Sequence, residues 1–367
     1  MKTGKIEKIM SKTAKLLFLI ALISLFACTQ NNNKKTSQKF MKESTNKEEG
    51  KLQTENDLLT GVSRAICYSG FRDGQHPDRG DRAINPSYEE MLEDLKILSN
   101  DLNFKLIRLY DCSENSEMVL RIIKENNIDI KVMLGIWLRA ELSNHEVCNW
   151  LAPIPEEVLQ KNKKINLKEI EKGINLANKY KDIVVAVNVG NEALVNWTDH
   201  KVDTDTIISY VNKVKQTINQ PVTVADNYKW WAENGTELAK AVDFISIHTY
   251  PIWEGKDINE GLSYSIENLM EVHNAIPQAK IVITEAGWAT VASEFGERAS
   301  EEKQKQYYNE FMSWTKKMNI TTFWFEAFDE SWKGDPEKMM GAEKHWGLFT
   351  TKRKPKKAVQ QFLVGKD

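Results

Sequence analysis

A closed (β/α)8 barrel is the fold the sequence predicts, and three observations carry it. From Gly61 onward, eight β-prone runs recur along the 367-residue chain. The stretches between them place apolar residues three and four apart, as amphipathic helices do. No glycine-rich phosphate loop follows any of the runs, which removes the usual open-sheet nucleotide binders. Strands that alternate with helices must run parallel, and eight repeats in about 300 residues fit a ring better than an open doubly wound sheet.

Ahead of the barrel lie two other segments. Lys2, Lys5, Lys8, Lys12 and Lys15 precede an uncharged run from Leu16 to Ala27, the form of a secretory leader, too short to span a bilayer comfortably. The run ends Leu25-Phe26-Ala27-Cys28, which resembles a bacterial lipobox. That implies a leader over 1–27 and a lipidated Cys28 that anchors the mature chain to a membrane of the bacterial envelope, on a periplasmic or an outer surface. Residues 28–57 are rich in Asn, Lys, Ser, Thr, Gln and Glu with almost no apolar content, the composition of a disordered tether. The catalytic unit is then 58–367, a single domain and a monomer. Loss of the leader removes five lysines and one glutamate, so the net charge moves from −2 to −6. An acidic mature chain is a poor polyanion binder and is not expected to bind nucleic acid. Cys67, Cys112 and Cys148 remain, with no spacing of a zinc site; a Cys67–Cys112 disulfide is left open.

The eight runs are Val62–Cys67, Lys105–Tyr110, Ile130–Ile136, Ile183–Asn188, Val222–Ala225, Phe244–Ile247, Ile281–Thr284 and Thr322–Phe325. Between them, Tyr88-Met91-Leu92-Leu95-Leu98, Ile165-Leu167-Ile170-Ile174-Leu176-Ala177 and Ile207-Tyr210-Val211-Val214-Ile218 mark helices with one apolar face. In a closed ring every strand delivers its last residues to one rim, where catalytic groups are expected.

Two of the runs stop on glutamate: Val184 to Glu192 and Ile281 to Glu285. An acid at the end of a buried strand is costly unless its charge is matched. Two of them, on the fourth and seventh strands, suggest paired carboxylates over one cleft. Glycosidic-bond cleavage needs that pair, one to protonate the leaving oxygen and one to attack or stabilise the sugar cation. Glu192 is the expected acid/base, its proton affinity raised by burial and by its partner's charge, and Glu285 the nucleophile. A separation of about 5 to 5.5 Å means retention and about 6.5 to 9.5 Å inversion. Arg108 is expected to pair with Glu285 and keep it ionised, and Asn191 to bind a substrate hydroxyl. Tyr68, Tyr110, Trp137, Asp226, His248 and Tyr250 complete the rim. Trp288, Trp332 and Trp346 are the expected sugar platforms, and Glu326, Asp329, Glu330 and Lys333 form a charged cluster that either binds hydroxyls or braces its loop.

These residues are similar to those of glycoside hydrolase family 17, the β-1,3-glucanases, in its bacterial and fungal-type branch. The resemblance runs through Cys67-Tyr68-Ser69-Gly70-Phe71, Ile107-Arg108-Leu109-Tyr110, Val189-Gly190-Asn191-Glu192, Ile283-Thr284-Glu285-Ala286-Gly287-Trp288, Phe325 to Lys333 and Glu343 to Phe349. It implies a retaining double displacement on internal bonds of laminarin-like β-1,3-glucan, without metal or organic cofactor, with Glu192 as proton donor and Glu285 as nucleophile. Ala289 stands where many members of that family carry proline. The alternatives are a β-1,3-glucan transglycosylase, a hydrolase of β-1,4-glucan or mannan, and a lipoprotein that binds glycan without cleaving it.

Overall fold

The computed structural model describes residues 52, 53, 59 and 64–363. The leader, Cys28 and most of the tether lie outside the described residues. Eight parallel strands close into a barrel in sequence order: β1 (Ala65–Cys67), β2 (Leu106–Arg108), β3 (Lys131–Ile136), β4 (Val184–Asn191), β5 (Val222–Asn227), β6 (Ile245–Thr249), β7 (Ile281–Ala286) and β8 (Thr322–Trp324). Ile66 closes the ring, pairing with Ile107 of β2 on one side and Trp324 of β8 on the other. Strand residues are buried on nearly all positions, because helices cover the outside and side chains fill the inside.

The predicted helices form along the apolar stripes, two of them behind polar caps. Ser87 and Glu90 make a reciprocal capping box at the start of α1 (Tyr88–Lys96), which buries Met91 and Leu95. The second helix, α2 (Glu114–Glu125), buries Val119, Leu120, Ile122 and Ile123. The stripe through Ile170, Ile174, Leu176 and Ala177 is the buried face of α3 (Glu156–Lys179), and Ile207, Val211 and Val214 that of α4 (Thr204–Lys215), capped by Asp203. Each such aliphatic side chain contributes about 1.5–3 kcal/mol on burial. Along the rest of the barrel, α5 (Tyr228–Asn234), α6 (Thr236–Ala241), α7 (Ile258–Ala275) and α8 (Glu301–Lys317) follow β5, β6 and β7.

Four strands run further at their carboxyl ends than the sequence pattern indicates: β4 to Asn191, β5 to Asn227, β6 to Thr249 and β7 to Ala286. Each extension carries a polar residue, so hydrophobic periodicity stops before the hydrogen-bond ladder does. Gln53, which composition assigns to the tether, docks on the barrel: its amide exchanges two hydrogen bonds with the backbone of Ile281, 2.8 and 2.9 Å. The three described cysteines are free. Cys67 donates to Thr284 O and Cys112 to Gly135 O, so the two thiols face different strands and the disulfide left open above is not formed. Burial pushes the Cys67 thiol up to about 12.

Candidate active site

Glu192 and Glu285 meet over the carboxyl-terminal rim, with His248 between them. One carboxylate oxygen of each and a ring nitrogen of His248 lie within 4.8 Å of one another. His248 Nδ1 is 2.8 Å from Glu192 Oε1 and 3.5 Å from Glu285 Oε2. Local irregularities in the sheet aim these groups. The ladder shifts register between Asn188 and Asn191 of β4, between Ile247 and His248 of β6, and between Ile283 and Ala286 of β7. Bulges of this kind turn a side chain toward a site that a regular strand would miss. Gly190 takes φ +85° and Glu192 φ +46°, so the acid itself sits in the left-handed region that a non-glycine residue adopts at a cost.

Glu285 is buried and held from three sides. Arg108 Nη1 lies 2.6 Å from Oε1, Tyr110 donates to the same oxygen at 3.0 Å, and Tyr250 donates to Oε2 at 2.6 Å. Burial pushes its carboxyl up, but the fields of His248 and Arg108 and the hydrogen bonds from Tyr250 and Arg108 outweigh it and hold the group below the ordinary carboxylate range. Arg108 is fully buried, lies over the Tyr110 ring, and bonds Asn191 Oδ1 at 2.5 Å through its other arm. Arg108, Tyr110, Asn191, His248 and Tyr250 therefore converge as the sequence reading expects, with Asn191 committed to the guanidinium. The three groups within 4.8 Å have the reach of a metal-ligand set, yet the Arg108 guanidinium already supplies the positive charge facing Glu285.

The cluster after β8 is a buried ion triad. Lys333 Nζ lies 2.5 Å from Glu326 and 2.7 Å from Glu330, above the Phe325 ring. Burial drives Glu326 well above the ordinary range against the pull of Lys333, whereas for Glu330 the pull of Lys333 and bonds from Ser69 and Trp332 win over burial. Trp332 is part-exposed and packs edge-on against Phe71.

Four of the predicted binding residues are placed elsewhere. Trp288 is fully buried against Tyr307, with its indole N–H on Arg298 O; it packs the barrel against α7 and α8 and offers no face to a sugar. Trp346 is also buried, behind Tyr250 and Phe325, and supports the wall that carries Tyr250. Tyr68 is buried with its hydroxyl on Asp94. Asp329 accepts from Lys356 Nζ at 2.7 Å and Gly347 N at 3.0 Å, bracing the chain's last turns.

Sequence reasoning missed two groups here, His200 and Glu343, and set a third, Asp226, on the rim without a role. His200 packs at 4.6 Å on Trp137 and bonds Asn191 O at 2.8 Å; burial lowers its proton affinity, but Asp199 and Asn191 raise it further. Asp226, at the end of β5, binds Leu194 N and its neighbour Asn227 N, and burial together with the Glu192 charge pushes it to about 7. Glu343, in the segment from Glu343 to Phe349 but not singled out, lies within the electrostatic reach of both Glu192 and Glu285; burial first, then those charges, raise it against the pull of Lys333. An acid closing β5 is the signal that puts Asp226 on the rim in the sequence; loop residues such as His200 give none.

Three comparisons bear on this geometry. The family model described as the BtgE/BtgC glycoside hydrolase domain matches residues 65–347. A protein of Aspergillus terreus named as a probable glucan endo-1,3-beta-glucosidase, btgC, is 26% identical over 294 residues, 73% of this chain and 41% of that protein. The chain thus spans about two fifths of that relative's length. A glucan 1,3-beta-glucosidase of Arthroderma benhamiae is 25% identical over 325 residues, 83% of this chain and 96% of its own length. The crystal structure of an endo-laminarinase from Formosa Hel1_33_131 superposes with a TM-score of 0.72 at 29% identity, covering 86% of this chain and 90% of that one.

Proposed function

Since the chain belongs to the family of the BtgE/BtgC glycoside hydrolase domain, we propose that it cleaves internal β-1,3-glucosidic bonds of laminarin-like glucan with retention, by double displacement. The observation that carries this reading is the carboxylate pair, one oxygen of each within 4.8 Å of the other, an approach that fits the about 5–5.5 Å between carboxyl groups of retaining enzymes rather than the about 6.5–9.5 Å that leaves room for an inverting water. Glu285, ionised and aligned by Arg108, Tyr110 and Tyr250, attacks the anomeric carbon. Glu192 gives its proton to the departing glycosidic oxygen, and a glycosyl-enzyme ester forms. Water then approaches the same carbon, Glu192 takes its proton, and the bond to Glu285 breaks. His248 Nδ1, 2.8 Å from Glu192 Oε1, is placed to donate to it and steady the carboxylate between the two steps.

The test is product analysis on laminarin together with two variants. Glu285→Ala is expected to abolish turnover. Glu192→Ala is expected to lower it by about 10²–10⁴-fold on glucan, far less on an aryl glucoside whose leaving group needs no proton, with azide restoring activity as the β-glycosyl azide. Inverted anomeric products would remove the mechanism; products longer than the substrate would assign the second half-reaction to transfer onto a sugar. The Cys28 anchor, the tether and an envelope location belong to the same reading, supported by the leader and lipobox pattern. Labelling of the wild-type chain, but not Cys28→Ala, by palmitate in a bacterial host tests them.

A further inference from the structure

Two tryptophans in the loops at the rim are largely open to solvent. Trp150, in the segment between β3 and α3, is 66% exposed, and Trp197, between β4 and α4, is 52% exposed. Leu142 and Val147 are exposed beside them in the first segment. Open apolar rings forgo the gain of burial, and a contiguous patch of them marks a binding surface more often than an accident. These are not frayed tips. Asn144 donates its side-chain amide to Asn196 O and Thr198 O, at 2.8 and 2.9 Å, and Glu141 N and Leu142 N both bond Lys201 O. Cys148 Sγ lies 3.8 Å from Trp197 O, and Leu151 N closes the turn that holds Trp150 back onto Cys148 O. The two segments are fastened into one shelf whose rings are left open to solvent.

The shelf is continuous with the catalytic rim. The segment that carries Trp197 starts at Glu192, and its His200 is bonded to Asn191 O and packed on Trp137, where the other segment starts. Both follow neighbouring strands, β3 and β4, whereas Glu285 stands on β7. In a cleavage in which Glu192 protonates the departing oxygen, the departing part of the chain lies on the Glu192 side of the scissile bond, and that is the side on which β3 and β4 deliver these loops. We propose that Trp150 and Trp197 form an aromatic shelf that holds distal sugars of the leaving-group end of a β-linked glucan chain, by stacking on pyranose faces; this rests on the glucan-cleaving reading above. An uncharged polysaccharide suits the shelf, since a flat apolar face with few hydrogen-bond partners selects rings over ions.

Trp150→Ala, Trp197→Ala and the double variant, in the full chain, test the shelf against laminariheptaose and an aryl β-laminaribioside. Each ring removed is expected to raise KM for laminariheptaose by about three- to tenfold. Turnover of the aryl substrate, whose leaving group is too short to reach the shelf, is expected to stay unchanged. Phenylalanine at either position is expected to keep KM near wild type, which separates a ring-stacking role from damage to the loop. An unchanged KM for laminariheptaose in the double variant overturns the shelf. So does wild-type self-association that the double variant loses while KM stays constant, since the rings would then face a second copy. If the wild type turns over neither substrate, the glucan-cleaving reading is what fails. Calorimetric titration with laminariheptaose then reads the shelf directly, and equal affinity of wild type and double variant removes it.

Discussion

Glu285 has three donors on its two oxygens before any substrate arrives, and this decides how the site titrates. Its folded value is depressed, so its contribution to stability is complete above the unfolded carboxylate value of about 4.3 and is lost as pH falls through the lower folded value. Glu285→Gln is expected to flatten that loss, read as the urea midpoint followed from neutral pH downward. The acid limb of kcat/KM is expected below the ordinary carboxylate range for the same reason. Tyr250→Phe removes the 2.6 Å bond to Oε2. A hydrogen bond to a charged group is worth about 1.5–3 kcal/mol, so kcat/KM is expected to fall by about 10- to 100-fold and the acid limb to move upward. An acid limb that stays in place would show that Tyr250 orients the sugar and leaves the carboxylate's charge alone.

At the scale of the element, catalysis depends on where strands stop being regular. The register shifts in β4, β6 and β7 fall at the residues that present Glu192, His248 and Glu285. Just past β7, Gly287 lets the chain pass β8 closely: a Cβ there would lie 2.2 Å from Phe325 O. Gly287→Ala must push the two strand ends apart. The expected cost is about 1–3 kcal/mol of stability, seen as a lower denaturant midpoint, with kcat falling because Glu285 moves with β7. Helix ends carry smaller, local terms. Ser87→Ala removes the capping box of α1 and is expected to cost about 1 kcal/mol with kcat untouched, a contrast that distinguishes scaffold from site.

At the scale of the whole molecule, buried charges tie the chain's last segment to its first strand and helix. Arg353 clamps Asp94 with two bonds, 2.7 and 2.6 Å, lies over Phe328, and reaches Gly70 O, while Tyr68 and Arg72 bind the same carboxylate. Arg353→Ala leaves the Asp94 carboxylate to Arg72 and Tyr68 alone and is expected to destabilise the fold by about 1.5–3 kcal/mol, measured by chemical denaturation. The ring of eight strands was legible in the chain because strand and helix periods are local and repeat. So was the carboxylate pair, since an acid that ends a buried run violates the local pattern and only function or a matched charge explains it. Arg108 was legible by the same logic. Trp288, Trp346, Tyr68 and Asp329 were misread as substrate contacts because an aromatic or an acid near the rim looks the same in sequence whether it faces the cleft or the packing behind it. Their partners decide the matter, and Tyr250 in front of Trp346, Asp94 against Tyr68 and Lys356 on Asp329 come from other parts of the chain. The sequence by itself determined the architecture and that Glu192 and Glu285 close strands on one rim. Only the tertiary structure decided which rim residues reach them, because burial and hydrogen-bond partnership belong to pairs of residues that the chain brings together only when the barrel closes.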